Sequence, residues 1–410
     1  MKKPELLAPA GSLSKLKYAI MYGADAVYIG GEAFSLRVAA KNFTMEEIEE
    51  GIKFAHDRGK KVYITANIIP HNSDIERFPE FVKEVDKLGA DAIIVSDLGT
   101  FSIVREVAPN LEIHISTQAN NTNYQSAKMW HSLGAKRVIL ARDLSFKEIR
   151  QIRDNLHDNC EIETFVHGAM CISYSGRCLL SNYLTHRDAN KGACAHPCRW
   201  KYYLMEEKRP GEYMPVFENE RGTFIYNSKD LCMVEHVPEL IEAGIDSFKI
   251  EGRVKNELYV ATVVKSYRRA IDAYCADPEN YKFDESIAKE LEKVSHREYT
   301  PGFYYGKPDG NQQLYTSNTY IQDYTIVGVV LDYDEKTGEA IIEQRNRFFK
   351  GNEIEVITPS GDDFTFTVDK MCNDKDIEID VAPHAQMIVK IKMEQPVCEY
   401  TILRKCVKEE

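Results

Sequence analysis

Five of the chain's ten cysteines, Cys171, Cys178, Cys194, Cys198 and Cys232, fall within 62 residues. Thiols grouped in this way in a reducing compartment point to a metal or to catalysis rather than to a disulfide framework. The other five, Cys160, Cys275, Cys372, Cys398 and Cys406, are scattered. Six residues separate Cys171 from Cys178, among them Gly176, so the loop can fold back and bring two thiolates together. Cys194 and Cys198 stand four apart, a spacing that also converges on one ion or cluster. Four thiolates can hold structural zinc or an iron–sulfur cluster. Zinc usually takes paired short knuckles, a form the Cys171–Cys178 spacing lacks, so the pattern leans toward a cluster. The plain alternative is a set of buried small hydrophobes, which the polar and glycine-rich surroundings disfavour.

Other side chains near this segment carry their own chemistry. His167 precedes Cys171 by four residues, and the two would make the base and nucleophile of a thiol hydrolase. Such a nucleophile needs a positioned partner and an oxyanion hole, and nothing in the sequence marks either. No HExxH or GxSxG motif appears; the nearest string, Val234-Glu235-His236-Val237, has a single histidine. His167 reads equally as a packed histidine. Glu163 lies inside an expected strand, where a carboxylate either orients a ligand or pairs with an inward Lys or Arg.

A second group sits where strands end. Arg142, Lys249, Glu251 and Arg253 follow two expected strands, Gln118 and Asn120 another, and Asn67 a third. Arginine would suit a carboxylate ligand because its fork binds that group through two parallel hydrogen bonds. Each of these alone also reads as a solvated rim residue. Between His186 and Arg209 lie Arg187, Lys191, Arg199, Lys201, Lys208 and Arg209, interleaved with Trp200, Tyr202 and Tyr203. Cations beside stacking rings are the usual equipment for single-stranded RNA; the same stretch also reads as a loop that covers the cysteines.

The elements that must position these groups are legible from periodicity. Compact runs rich in Val, Ile and Thr occur at 6–10, 26–30, 62–67, 92–96, 113–117, 137–141, 162–166 and 247–251. They have the composition of strands buried on both faces of a parallel sheet. Amphipathic helices separate them, and the joins YGADAVYIG, LGADAIIVSD, LGAKRVILARD and AGIDSFKIEGR share one plan of helix end, glycine and strand. Thr44 with Glu47 is a capping-box signal. Eight such units predict an α/β fold, a closed parallel (β/α) TIM-like barrel, with an open doubly wound sheet as the alternative. The period breaks at 171–222, a Cys-rich insertion after the seventh strand, on the rim where barrel active sites are built. Two helices, near 256–276 and 284–295, complete a catalytic domain over 1–310. Residues 311–410 alternate short strands and turns and predict a small C-terminal antiparallel β-barrel.

Composition narrows the setting. Lys plus Arg number 52 against 64 Asp plus Glu, a formal charge of −12. Such a field does not draw nucleic acid, whose affinity comes from neutralised phosphates, so an RNA partner needs a local basic patch. No run approaches the length of a membrane span, and MKKPELLAPAGS lacks a signal-peptide core. A cytoplasmic protein without a membrane partner is expected.

The segment ETFVHGAMCISYSGRCLLS at 163–181 resembles the signature of the collagenase-like peptidases, peptidase family U32. Glu163, Phe165, Gly168, Cys171, Gly176, Cys178 and Ser181 fall at family positions, and APAGS, RDAN with CRW, NSKDL and KIEGR extend the resemblance along most of the chain. Length and the appended C-terminal domain resemble the tRNA hydroxylation branch. The resemblance implies oxygen-independent conversion of wobble uridine to 5-hydroxyuridine, with prephenate as donor and the tRNA anticodon stem-loop as partner. It also implies a four-iron four-sulfur cluster on Cys171, Cys178 and Cys194, with Cys198 or Cys232 as the fourth ligand. The electron donor stays unassigned. Two other readings are a collagenase-like thiol peptidase and a zinc-stabilised RNA-binding module with no reaction of its own.

Overall fold

The computed structural model describes residues 2–407 apart from 32–33, 37–41, 158, 172 and 307–319; within 201–227 it describes only four two-residue strands. Eight parallel strands carry the first domain: β1 (Glu5–Pro9), β2 (Ala26–Gly30), β3 (Lys61–Ala66), β4 (Ala92–Val95), β5 (Glu112–Ile115), β6 (Arg137–Ile139), β7 (Glu161–Ala169) and β8 (Ser247–Ile250). Each pairs with the next, and β8 pairs with both β7 and β1, which closes the barrel and excludes the open sheet. Helix starts follow the sequence signals. Thr44 accepts from the Glu47 amide while the Glu47 carboxylate takes the Thr44 amide, satisfying two donors that a helix leaves free.

Hydrocarbon fills the space between strands and helices, but the barrel interior is charged. Arg137 on β6 is buried and donates to Glu5 on β1 and to Glu161 and Glu163 on β7. Tyr63 on β3 donates to Glu5 at 2.6 Å, and His114 on β5 packs edge-on against the Tyr63 ring. Buried charges survive only when paired, so this column is a single network crossing several strands.

After β7 the chain leaves the rim. It returns as the short strand Asp230–Cys232, antiparallel to β7, whose partner Tyr299–Thr300 extends the sheet. Helix Glu257–Ala276 then packs against β1 and the helix Leu13–Met21. The second domain is an eight-stranded antiparallel sheet with its own core, running from Tyr324–Asp334 to Ile402–Cys406. The expected barrel is a curled sheet: its edge strands, Phe364–Thr367 and Glu378–Ile379, share no ladder. It is seated on the first domain by specific contacts. The Tyr22 hydroxyl donates to the carbonyls of Ile357 and Tyr400, and Arg404, almost fully buried, bridges Glu355 to Glu290 on helix Glu285–Glu292.

Among the described residues, no helix is long and apolar enough to cross a membrane.

Candidate functional site

A small cavity of about 50 Å³ opens at the C-terminal mouth of the barrel. Asn67, Gln118, Arg142, Lys249, Glu251 and Arg253 all line it. These come from the ends of different strands, and barrel geometry alone brings them together. Tyr28, Leu36, Thr65, Ser116, Thr117, Ile139 and Phe165 complete the wall. Sequence reasoning missed these seven because an apolar, aromatic or hydroxyl side chain near a strand end looks like ordinary core until the barrel closes.

The cations are held in place from behind. Lys249 Nζ lies 2.7 Å from Glu163 Oε1 and 4.4 Å from the centre of the Tyr28 ring. Glu163 is fully buried, and its other oxygen takes Arg137 at 3.0 Å. Burial alone would raise the Glu163 carboxyl, yet Lys249 and Arg137 hold it below the usual carboxylate range. Burial in turn draws the Lys249 amine below its ordinary value, with Glu163 opposing. Of the two alternatives for Glu163, the structure shows the pairing with an inward Lys and Arg: its carboxylate stands behind Lys249 and is not part of the cavity lining.

Arg142 stacks on the Phe165 ring at 3.9 Å and donates to the Ala169 carbonyl at 2.6 Å. Arg253 donates to Ser35 at 2.8 Å and to Thr65 at 3.1 Å, and it passes so close to Gly30 that a Cβ there would lie 2.5 Å from its guanidinium. The Glu251 carboxylate accepts from the Gly252 amide. Asn67 donates to Ser116 at 3.0 Å, while its carbonyl oxygen and that of Gln118 are buried without a partner among the described residues. The lining thus offers three cations, one carboxylate and two unspent acceptors. That set suits a small polar anion bearing hydroxyl groups.

The cysteine-bearing segment lies over this mouth. Ile69 donates its amide to the Asn190 carbonyl at 3.1 Å, Lys191 pairs with Asp74 at 2.9 Å, and Gly176 sits against Gln118. Gly176 has φ +71°, and a Cβ there would meet the Gln118 side chain at 2.7 Å. Within the segment, Asn190 donates to the Cys178 carbonyl, Ser181 accepts the Ala195 amide, and the His196 amide points at Cys194 Sγ from 3.4 Å.

Cys171, Cys178 and Cys194 lie near enough to Cys198 to act on its charge. Burial pushes the Cys198 thiol up to about 11; Arg199 opposes this, and the neighbouring Cys171, Cys194 and Cys178 add to it. No three His, Cys, Asp or Glu donors among the described residues already surround one point at metal-binding separation. The four thiols are neighbours rather than a closed coordination shell. Their number, the N–H···S contact at Cys194 and the adjacent Arg199 fit a thiolate-bound cluster of net negative charge.

Cys232 is not among them. It opposes His167 across the β7 ladder, contacts Tyr267, and lines a separate cavity of about 230 Å³ with His236, Leu291 and Tyr299. Burial raises its thiol to about 12.

His167 is misplaced for a base. It is 1% exposed, enclosed by the rings of Tyr259, Tyr267 and Tyr299, with Nδ1 3.5 Å from the Tyr267 hydroxyl. Burial lowers its pKa to about 3, so the ring is neutral at ordinary pH. Cys171 is exposed, and no hydrogen bond joins the two among the described residues. The expected catalytic role for His167 gives way to packing.

The basic stretch is also reduced. Lys191 is tied to Asp74, and Arg199 turns inward to the Met170 carbonyl at 2.9 Å. Arg187 is exposed, with Nε on the Ala193 carbonyl, and Trp200 is exposed. Lys201, with Tyr202, Tyr203, Lys208 and Arg209, lies outside the described residues. Asn120, expected beside Gln118, adopts a left-handed conformation that ends the turn Thr117–Ala119.

Gly168 explains a motif position. Its φ is +106°, and a Cβ would stand 2.6 Å from the Glu251 carbonyl oxygen. Gly168→Ala is expected to lower stability by about 1–3 kcal/mol from the backbone conformation alone, with the clash adding to it. A urea midpoint equal to that of the unsubstituted protein would show that the β7–β8 rim relaxes freely.

The chain matches the model of peptidase family U32 over residues 11–314 and that of the peptidase family U32 C-terminal domain over residues 322–404. It is 44% identical to the tRNA hydroxylation protein P1 of Bacillus subtilis, over 98% of this chain and 95% of that one. Identity to the tRNA hydroxylation protein P of Escherichia coli is 40%, over 93% and 92% of the two chains. A protein of Porphyromonas gingivalis named collagenase is 33% identical over 87% of each.

Proposed function

The chain belongs to peptidase family U32, and from that membership and the geometry of its rim we propose that it is a tRNA-modifying enzyme. The reaction proposed is oxygen-independent hydroxylation of wobble uridine to 5-hydroxyuridine, with prephenate as the source of the hydroxyl group. The observation that carries this reading is one rim holding two things side by side: a cation-lined cavity for a small acid, and four neighbouring thiols in the segment above it. Full-length relatives named for tRNA hydroxylation, at 40–44% identity, supply the substrate class.

In this mechanism Arg142, Arg253 and Lys249 receive the two carboxylates of the donor, and the Asn67 and Gln118 carbonyl oxygens accept from its hydroxyl. Glu251 is the acidic group of the lining, fixed by the Gly252 amide. Phe165 and Tyr28 flank the cations and keep their surroundings dry, which strengthens each ionic contact. Cys171, Cys178, Cys194 and Cys198 would hold a four-iron four-sulfur cluster, which when bound supplies one-electron chemistry beside the cavity.

The test has two readouts. Protein purified without oxygen is expected to carry iron and acid-labile sulfide in equal amounts. A strain lacking the gene is expected to lose wobble 5-hydroxyuridine and to regain it from the wild-type chain but not from Arg253→Met. Zinc in place of iron would favour a structural site. Unchanged tRNA in the deletion strain, or gelatin cleavage by the pure protein, would sink the hydroxylase reading.

A further inference from the structure

Residues 171–200 carry four cations, Arg177, Arg187, Lys191 and Arg199, against the single carboxylate of Asp188. Asp188 is itself turned to the Asn190 amide. Lys191 has its counter-ion in Asp74, and Arg177 and Arg187 are exposed to water. Arg199 is placed differently. Its Nη2 donates to the Met170 carbonyl at 2.9 Å, while Nη1 is buried with no hydrogen-bond partner among the described residues. Nor does it form an ion pair among the described residues.

A guanidinium keeps its charge at every ordinary pH. Burying one of its edges is therefore costly unless a negative group lies beside it. The negative groups to hand are sulfur. Arg199 follows Cys198 directly, and its charge acts on the Cys198 thiol, as do Cys171, Cys178 and Cys194. The Met170 carbonyl that takes Nη2 belongs to the residue before Cys171. One hydrogen bond thus ties the chain at Cys198 to the chain at Cys171. Because the guanidinium is a rigid planar fork, that bond also fixes where the unspent edge points. A second donor in the segment already points at sulfur: the His196 amide lies 3.4 Å from Cys194 Sγ.

We propose that Arg199 is a hydrogen-bond donor to the iron–sulfur cluster, with Nη1 on a cluster sulfur and Nη2 kept on Met170, and that it raises the cluster's reduction potential. The inference rests on the cluster reading above and adds the residue that tunes the site. Charge gives the sign. Reduction adds one electron, so a fixed cation with an N–H bond to sulfur stabilises the reduced form more than the oxidised one. Arg187, out in water, is screened and contributes little to this effect.

The experiment is a redox titration of the full-length protein purified without oxygen, followed by its visible spectrum, with iron and acid-labile sulfide measured on the same samples. Arg199→Gln is expected to shift the midpoint potential to more negative values with iron retained. Arg199→Lys, which keeps the charge, should recover most of that shift. Arg187→Gln removes one charge from the solvated side of the same segment and should leave the potential at the wild-type value. Iron lost from the Arg199→Gln protein but kept by Arg199→Lys would support the inference as well, since restoring the charge restores the site. A wild-type potential in Arg199→Gln would overturn it, as would an equal shift in Arg187→Gln or loss of iron from both Arg199 variants. Wild-type protein free of iron and sulfide strikes the cluster reading and this inference together, so metal analysis of the wild type tells the two failures apart.

Discussion

Cys198→Ser is expected to strip the iron from protein purified without oxygen and to abolish hydroxyuridine formation, whereas Cys232→Ser keeps both. Spacing alone admits either cysteine as the fourth ligand. The fold distinguishes them: Cys198 has Cys171, Cys178 and Cys194 as electrostatic neighbours, while Cys232 sits on the strand paired with β7, opposite His167 and against Tyr267. Removing one of four thiolates leaves an open coordination position, and a cluster with an unprotected iron is lost in purification. Iron and sulfide analysis with a visible spectrum reads the result without any assay of activity. Iron lost from the Cys232→Ser protein and kept by Cys198→Ser would reverse the assignment. Loss from neither would remove the cluster from these thiols altogether.

Glu163→Gln is expected to be among the most damaging single changes in the barrel. It leaves Lys249 and Arg137 buried with one shared carboxylate missing, and breaking a buried pair from one side costs about 3–5 kcal/mol. Lys249 is 4% exposed and Glu163 fully buried, so water cannot take the place of the lost partner. The effect depends on pH in a defined sense. The folded-state pKa of Glu163 is depressed, so its contribution is complete above the unfolded carboxyl range and disappears as pH falls through the folded value. The gap in stability between wild type and Glu163→Gln should therefore be widest near neutrality and narrow in acid.

A companion substitution separates stability from function. Glu163→Leu with Lys249→Met removes both ends of the pair; stability should recover substantially, since apolar replacements of similar volume are often neutral or better. Binding of a small dicarboxylate should not recover, because the cavity has lost a cation. Arg137 keeps Glu5 and Glu161 in that protein. Denaturant unfolding and ligand titration of the two proteins decide the matter. Full dicarboxylate affinity in the double variant would show that Lys249 supports the barrel but does not bind.

Periodicity is a local property, and it was enough to place all eight barrel strands to within three residues at either end, together with the capping box at Thr44 and the break after β7. Residues at strand ends were legible as a candidate site for the same reason: a parallel barrel sends all those ends to one mouth. Individual roles were harder to read. His167 and Cys171 are four apart in sequence, but β7 ends at Ala169 before Cys171, and the rings of Tyr259, Tyr267 and Tyr299 enclose His167. Lys191 and Arg199 look like free cations until the segment folds back and supplies Asp74 and the Met170 carbonyl.

The amino-acid sequence by itself determined the elements, their order, and the list of groups able to do chemistry, because propensity, period and composition act over a few residues. Tertiary structure alone decided which of those groups meet. Glu163 is paired because Arg137, 26 positions away, and Lys249, 86 positions away, enter the same dry interior. Cys198 rather than Cys232 has the other thiols as electrostatic neighbours, since Cys232 is fixed on a strand paired with β7, opposite His167. Contacts between strands distant in sequence depend on closure of the barrel, and no local pattern encodes them.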